Sequence, residues 1–205
     1  MLYNLCFEKV GVTMGPKAKF DREQIIDATF EIAKTEGIDS ITMRKIAEQM
    51  GSSVAPIYVN FKNIDELMEA LMERIISVSQ QIFSEESSGN PFYDMGRASL
   101  RFASEYSIIF RDLVLANNSR MKDYDEKMIP ALIEEMQKDP ELEGFTVEEL
   151  KTILLRVKIF QLGLSVMVAN GLLPKEYEMQ DFMDLLSSAA DDVIISVRLS
   201  KSQQK

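Results

Sequence analysis

No histidine occurs anywhere in the 205 residues, and the only cysteine is Cys6. The missing imidazole removes Ser/His and Cys/His nucleophile systems, imidazole proton relays and His-ligated metals in one step. A lone cysteine closes no internal disulfide and completes no Cys-cluster zinc site. The 9 glycines are scattered and build no phosphate cradle. Carboxylates are plentiful, yet none follow the D-x-D-x-D-G spacing of a calcium loop. No uninterrupted apolar run reaches the roughly 18 residues of a membrane span. An enzyme would have to rely on carboxylates alone, and no pair of them stands out on an apolar face. The expectation is a protein without catalysis, cofactor, metal or membrane segment.

With 46% hydrophobic and 27% charged residues, the chain has an ordinary globular composition. Its length suits one large domain, or a small one beside a medium one. The net charge of −10 is unevenly spread: residues 1–63 carry eight Lys/Arg and eight Asp/Glu, so the whole excess falls on residues 64–205. Within residues 40–63, Arg44, Lys45 and Lys62 face Glu48 alone. An acidic body with a locally basic end meets a phosphate backbone weakly and with strong salt dependence. The opening "MLYNLCFEKVGVT" is too short and too poorly charged for a secretory signal. Residues 1–19 are expected to be an extension ending in a short basic arm, with Met14 an alternative start; a short ordered arm is the other reading.

Helical periodicity then runs almost throughout. Ile25, Ile26, Thr29, Ile32 and Ala33 form one stripe that Gly37 stops; Thr42 caps Met43–Met50; Asn63 caps a long helix from Ile64 to about Glu85. Later helices are expected near 93–106, 108–117, 123–138, 147–170 and 179–199. The fold class is all-α, with no repeats. Between Met43 and Asn63 two short helices flank a glycine-containing turn, the pattern of a helix-turn-helix whose second helix enters the DNA major groove. With Ser53 as cap of a helix over Val54–Tyr58, Pro56 falls in the first turn, where a missing N–H is harmless. Phe61 would anchor that helix on Phe30, Ile46 and Ile57. A helix-loop-helix with no ligand is the plainer alternative.

The order "IIDATFEIAKTEGIDSITMRKIAEQMGSSVAPIYVNFKNIDELMEAL" (Ile25–Leu71) resembles the N-terminal domain of the tetracycline-repressor (TetR) family of transcriptional regulators. The likeness is carried by Ala28, Phe30, Gly37, Thr42, "IAEQMG", Ile57–Tyr58, Phe61 and "DEL". It implies an N-terminal three-helix helix-turn-helix domain over 20–63 and a helical ligand-binding and dimerisation domain over 64–205. It also implies DNA contacts at Thr42, Ser52, Ser53, Val54, Ala55, Tyr58 and the start of the next helix at Ile64. Arg44, Asn60 and Lys62 complete the candidate DNA-binding set. Two positions depart from the family pattern: Asn60 stands where histidine is common, and Ile64 where a phosphate-binding lysine is common. Lys62 could supply that charge.

Two helices carry more apolar surface than one protomer needs. On 147–170, Leu150, Ile153, Val157, Leu164 and Val168 make one stripe, and Leu155, Ile159, Leu162 and Val166 another. A helix apolar on two faces is covered twice. Phe182, Leu186, Val193 and Val197, with Ala190 in a small-residue run, repeat the theme. These outer residues are the expected homodimer interface, which the family builds as a four-helix bundle. Phe102, Tyr106, Phe110, Met128, Phe160 and Gln161 are candidates for a pocket taking an apolar or cationic small molecule, although core packing accounts for any one of them. The expected protein is a cytoplasmic, homodimeric repressor that binds double-stranded operator DNA and is released by a ligand. The alternative is a helical ligand- or protein-binding module of the same fold that has lost DNA binding.

Overall fold

The computed structural model describes residues 20–115 and 129–202, and its described elements are all helical. Helix α1 is Arg22–Glu36, α2 Met43–Gln49, α3 Ala55–Asn60, α4 Ile64–Glu85, α5 Pro91–Glu105 and α6 Ser107–Leu115. The described part of α7 covers 129–136, followed by α8 at Val147–Ala169 and α9 at Met179–Ser202. Short 3-10 turns lie at Ile38–Ser40 and Pro140–Leu142. The expected ends of α6 at 117 and start of α7 at 123, with Met128, lie outside the described residues, as does the extension over 1–19.

Local chemistry sets most boundaries. Asp21 caps α1 in a reciprocal capping box with Gln24, and Thr146 does the same for α8 with Glu149. Asn63 accepts the Glu66 N–H at 2.9 Å to start α4, and Asn90 accepts the Phe92 N–H to start α5, with Pro91 in its first turn. Helix α2 ends in a Schellman motif. The Gly51 N–H donates to the Glu48 carbonyl at 3.0 Å, and the Ser52 N–H to Ala47 at 2.9 Å, with Gly51 at φ 60°.

A single apolar cluster joins the N-terminal helices to α4, α5 and α6. It takes Ile25, Phe30 and Ala33 from α1, Ile46 and Ala47 from α2, Ile57 from α3 and Phe61 beyond it. It continues without a break through Leu67, Leu71 and Ile75 of α4 to Phe102 of α5, Ile109 and Phe110 of α6 and Ala169 of α8. Polar ties reinforce this joint. Asp112 on α6 accepts the Ile38 N–H at 2.6 Å, and Arg74 on α4 reaches Asp27 on α1 at 2.9 Å. The three N-terminal helices are therefore braced against the body through α4 and α6 together.

The second half packs around Leu150, Ile153, Leu154 and Val157 of α8 and Ala190, Ile194 and Val197 of α9. The inner stripe expected on α8 is buried or half-buried as read, and Leu155, Ile159 and Leu162 are exposed on the other side. The expectation for α9 needs correction. Phe182, Leu186, Ala190 and Val197 are buried in the protomer's own core and Val193 is half-buried against it, as is Val166 on the expected outer stripe of α8. The outer apolar residues of α9 are Leu185, Ile195 and Leu199. By length and composition α8 alone among the described helices could cross a membrane, with a mean hydropathy of 1.6. Its buried stripe instead belongs to the helical core, and Arg156 and Lys158 interrupt the run.

Candidate nucleic-acid interface

The exposed end of the molecule is built by α2, α3 and the start of α4. Thr42 caps α2, its hydroxyl accepting the Lys45 N–H at 3.1 Å, and remains exposed. The turn holds Met50–Val54, and α3 follows at Ala55, two residues before the buried Ile57. Ser53 is not its cap. Val54 occupies that position at φ −70°, ψ −17°, and its carbonyl accepts from Ile57 at 3.1 Å and Tyr58 at 3.2 Å. The reason is Pro56: with Ser53 as cap it would stand third in the helix, where a capping hydroxyl finds its N–H, and proline has none. Pro56 does fall in the first turn.

Three anchors hold so short a helix. Ile57 and Phe61 are fully buried. Arg22 of α1 lies 4.1 Å over the Phe61 ring and donates to the Asn60 carbonyl and to Glu66 Oε1, both at 3.0 Å. The Asn60 amide donates to the Phe20 carbonyl at 3.2 Å and to Pro56 at 2.9 Å. Asn60, placed in the DNA-binding set from sequence, is thus tied to its own domain. Glu66 also accepts the Lys62 N–H at 2.9 Å. That bond, and then the Arg22 guanidinium, hold its carboxyl below the ordinary 4.5. Sequence reading missed Arg22 and Glu66, because a lone arginine at the start of a helix carries no signal of a partner 44 residues away.

What remains outward is Ser53, Val54, Ala55, Tyr58 and Val59 on α3 and its approach, with Thr42, Arg44 and Lys62 around them. Ser52 is half-buried, its hydroxyl donating to the Ser53 carbonyl. Arg44 makes an exposed ion pair with Glu48 at 3.0 Å, which costs little to exchange for a phosphate. Ile64 packs partly into the core. One face of a helix-turn-helix is therefore open, rigidly backed and bordered by cations.

The pocket set is dispersed. Phe102 stacks on Tyr106 at 5.2 Å, Tyr106 meets Phe30 of α1 at 5.7 Å, and Phe110 shares that cluster. Phe160 instead lies 38% exposed, outside the cluster, so it does not line a cavity with them. Gln161 bonds to Ser99, and Met128 lies outside the described residues. A small cleft opens elsewhere, between α5, α8 and α9, lined by Phe92, Tyr93, Val157, Leu186 and Ala190.

Residues 25–71 match the family model "Bacterial regulatory proteins, tetR family". The class D tetracycline repressor protein of Escherichia coli is 37% identical over 60 residues, 29% of this chain and 28% of that protein. A nicotine-responsive transcriptional repressor of Paenarthrobacter nicotinovorans is 36% identical over 55 residues, 27% of this chain and 28% of its own length. The likeness to these two therefore spans under a third of either relative. The whole architecture is matched by a TetR-like transcriptional regulator from a Rhodococcus species, at 17% identity and a TM-score of 0.61, covering 82% of this chain and 92% of that one. Residues 25–71 thus carry the helix-turn-helix of the tetR family of bacterial regulatory proteins, and the chain as a whole shares the fold of that solved TetR-like regulator.

Proposed function

We propose that the protein is a homodimeric, one-component transcriptional repressor that binds operator DNA through α2 and α3 and is released by a small molecule held in the body. The reading head is residues 20–63, and residues 64–205 carry ligand binding and dimerisation. The observation that carries the reading is the outward face of α3, unburied although the helix is anchored from behind by Ile57, Phe61 and Arg22. A helix so short gains nothing from being held rigid and bare unless something docks on it. Thr42, Arg44, Lys62 and the Tyr58 hydroxyl suit phosphate contacts, which position a protein without reading sequence.

The outer face of α8 supports a second copy: Leu155 is 60% and Ile159 64% exposed, beside Leu162, and α9 adds Leu185, Ile195 and Leu199. Two α3 helices then have to meet successive major grooves about 34 Å apart. A ligand that prefers one body conformation shifts that spacing, and α4 and the Asp112–Ile38 bond are the physical links to the head. The ligand is apolar or cationic, and the cleft beside Tyr93, which bonds to Asp191, has room for no more than about one water molecule, so it has to widen to admit such a ligand. A protein reading chromosomal operators works in the cytoplasm. Titration of random duplexes tests the reading: binding at low salt, falling steeply as salt rises, with the salt slope of Lys62→Ala reduced by about one. No duplex binding at low salt would favour a module that has lost DNA binding.

A further inference from the structure

The face that α3 offers has an unusual chemistry. Its outward residues are Val54 at the cap, then Ala55, Tyr58 and Val59, which share one side of the helix. Val59 is 72% exposed, the barest large apolar side chain among the described residues, and Tyr58 is 56% exposed. Hydrogen-bond readout in the major groove uses Arg or Lys on guanine, Asn or Gln on adenine, and Asp or Glu on cytosine. The segment "APIYVN" has no charged residue and no glutamine. Its one amide, Asn60, already gives its N–H groups to the Phe20 and Pro56 carbonyls. Ile57 is buried. No side chain of α3 is left that could form a bidentate pair with a base.

Aliphatic groups have one complement on the floor of the major groove, the C5-methyl of thymine. Resting on the DNA-binding reading above, we propose that α3 selects its operator by thymine methyl groups, with Val59 and Val54 as the specificity-determining residues and Tyr58 as a positioning contact to phosphate. Duplex DNA is the occupant because these valines lie on the same face as Tyr58, within the segment that matches the tetR family model, flanked by Thr42 and Lys62. The cations beside that face, Arg44 on α2 and Lys62 after α3, are exposed and hold the head to phosphate without reading bases.

The test uses the full-length protein and duplexes it selects from a randomised pool. Each thymine is then replaced singly by deoxyuridine, which deletes the methyl and leaves every hydrogen-bonding edge in place. One or more positions in each half-site should weaken about fourfold, the change expected for losing one buried methyl-sized group. At those positions 5-methylcytosine should bind better than cytosine, because it restores the methyl alone. Val59→Ala, at an exposed site that leaves folding intact, should shrink the deoxyuridine effect to under about twofold at one of them. A preference that survives removal of every thymine methyl overturns the proposal and leaves DNA binding standing. A deoxyuridine effect that stays at its wild-type size in both Val59→Ala and Val54→Ala overturns the assignment to α3. Absence of binding to any duplex removes the DNA-binding reading itself, and this one with it.

Discussion

Gly37→Ala probes the joint between head and body. Gly37 sits at φ 92°, ψ 161°, a region populated essentially by glycine, where another residue costs on the order of 1–3 kcal/mol. A Cβ there would also lie 2.8 Å from Asp112 Oδ2, the oxygen that accepts the Ile38 N–H at 2.6 Å. Pushing that carboxylate aside leaves a part-buried N–H unpaired, worth a further ~1–3 kcal/mol. The two effects together come to about 2–6 kcal/mol, a large share of the stability of an ordinary domain. Gly51→Ala is the control. Gly51 is at φ 60°, and a methyl group added there would meet no atom within 4 Å, so only the left-handed backbone opposes it, at about 1–2 kcal/mol. Urea unfolding of the full-length protein at fixed concentration reads both. Asp112→Ala removes the obstacle, so Gly37→Ala should cost less in that background than in the wild type. Equal losses for the two glycines, or an undiminished loss beside Asp112→Ala, would refute the reasoning.

The acid limb of stability should involve Glu149. The Thr146 N–H, and then the Lys201 ammonium, hold its carboxyl at about 2 instead of 4.5. A depressed carboxylate contributes above pH 4.5 and loses that contribution as pH falls through about 2. Glu149→Gln should therefore lower the melting temperature at neutral pH and flatten its fall between those values; an unaltered acid limb contradicts this. Leu155→Lys combined with Ile159→Lys should yield monomers by sedimentation with little loss of helix, because both side chains point away from the protomer's core. The wild type should sediment as a dimer at micromolar concentration, and a monomeric wild type sinks the proposed geometry.

Helix existence and most helix ends were legible because they depend on neighbours in sequence. Asp21, Thr42, Asn63 and Thr146 cap the helices that follow them, and Gly51 ends α2 through a bond pattern spanning six residues. The start of α3 was misplaced because Pro56 cancels the donor that a Ser53 cap would need, a veto visible only once the register is counted. The family likeness was legible for the same reason as the helix-turn-helix. Both lie in one contiguous stretch, Ile25–Leu71.

Sequence alone determined an all-α chain, the presence of a short helix after the Gly51 turn, and the inner stripe of α8. Only tertiary packing decided which side of α9 faces inward. Phe182, Leu186 and Val197 on one side and Leu185, Ile195 and Leu199 on the other are equally apolar, so periodicity cannot rank them, and the fit of α9 against α5 and α8 does. The same is true of Phe160, which reads as a pocket residue by type and is turned outward by its place on α8. Long-range polar ties complete the difference. Arg22 with Asn60 and Glu66, and Asp112 with Ile38, join groups 38 to 74 residues apart. Single hydrogen bonds of that reach leave no periodic trace, because their geometry is fixed by how helices pack and not by what stands beside them in the chain.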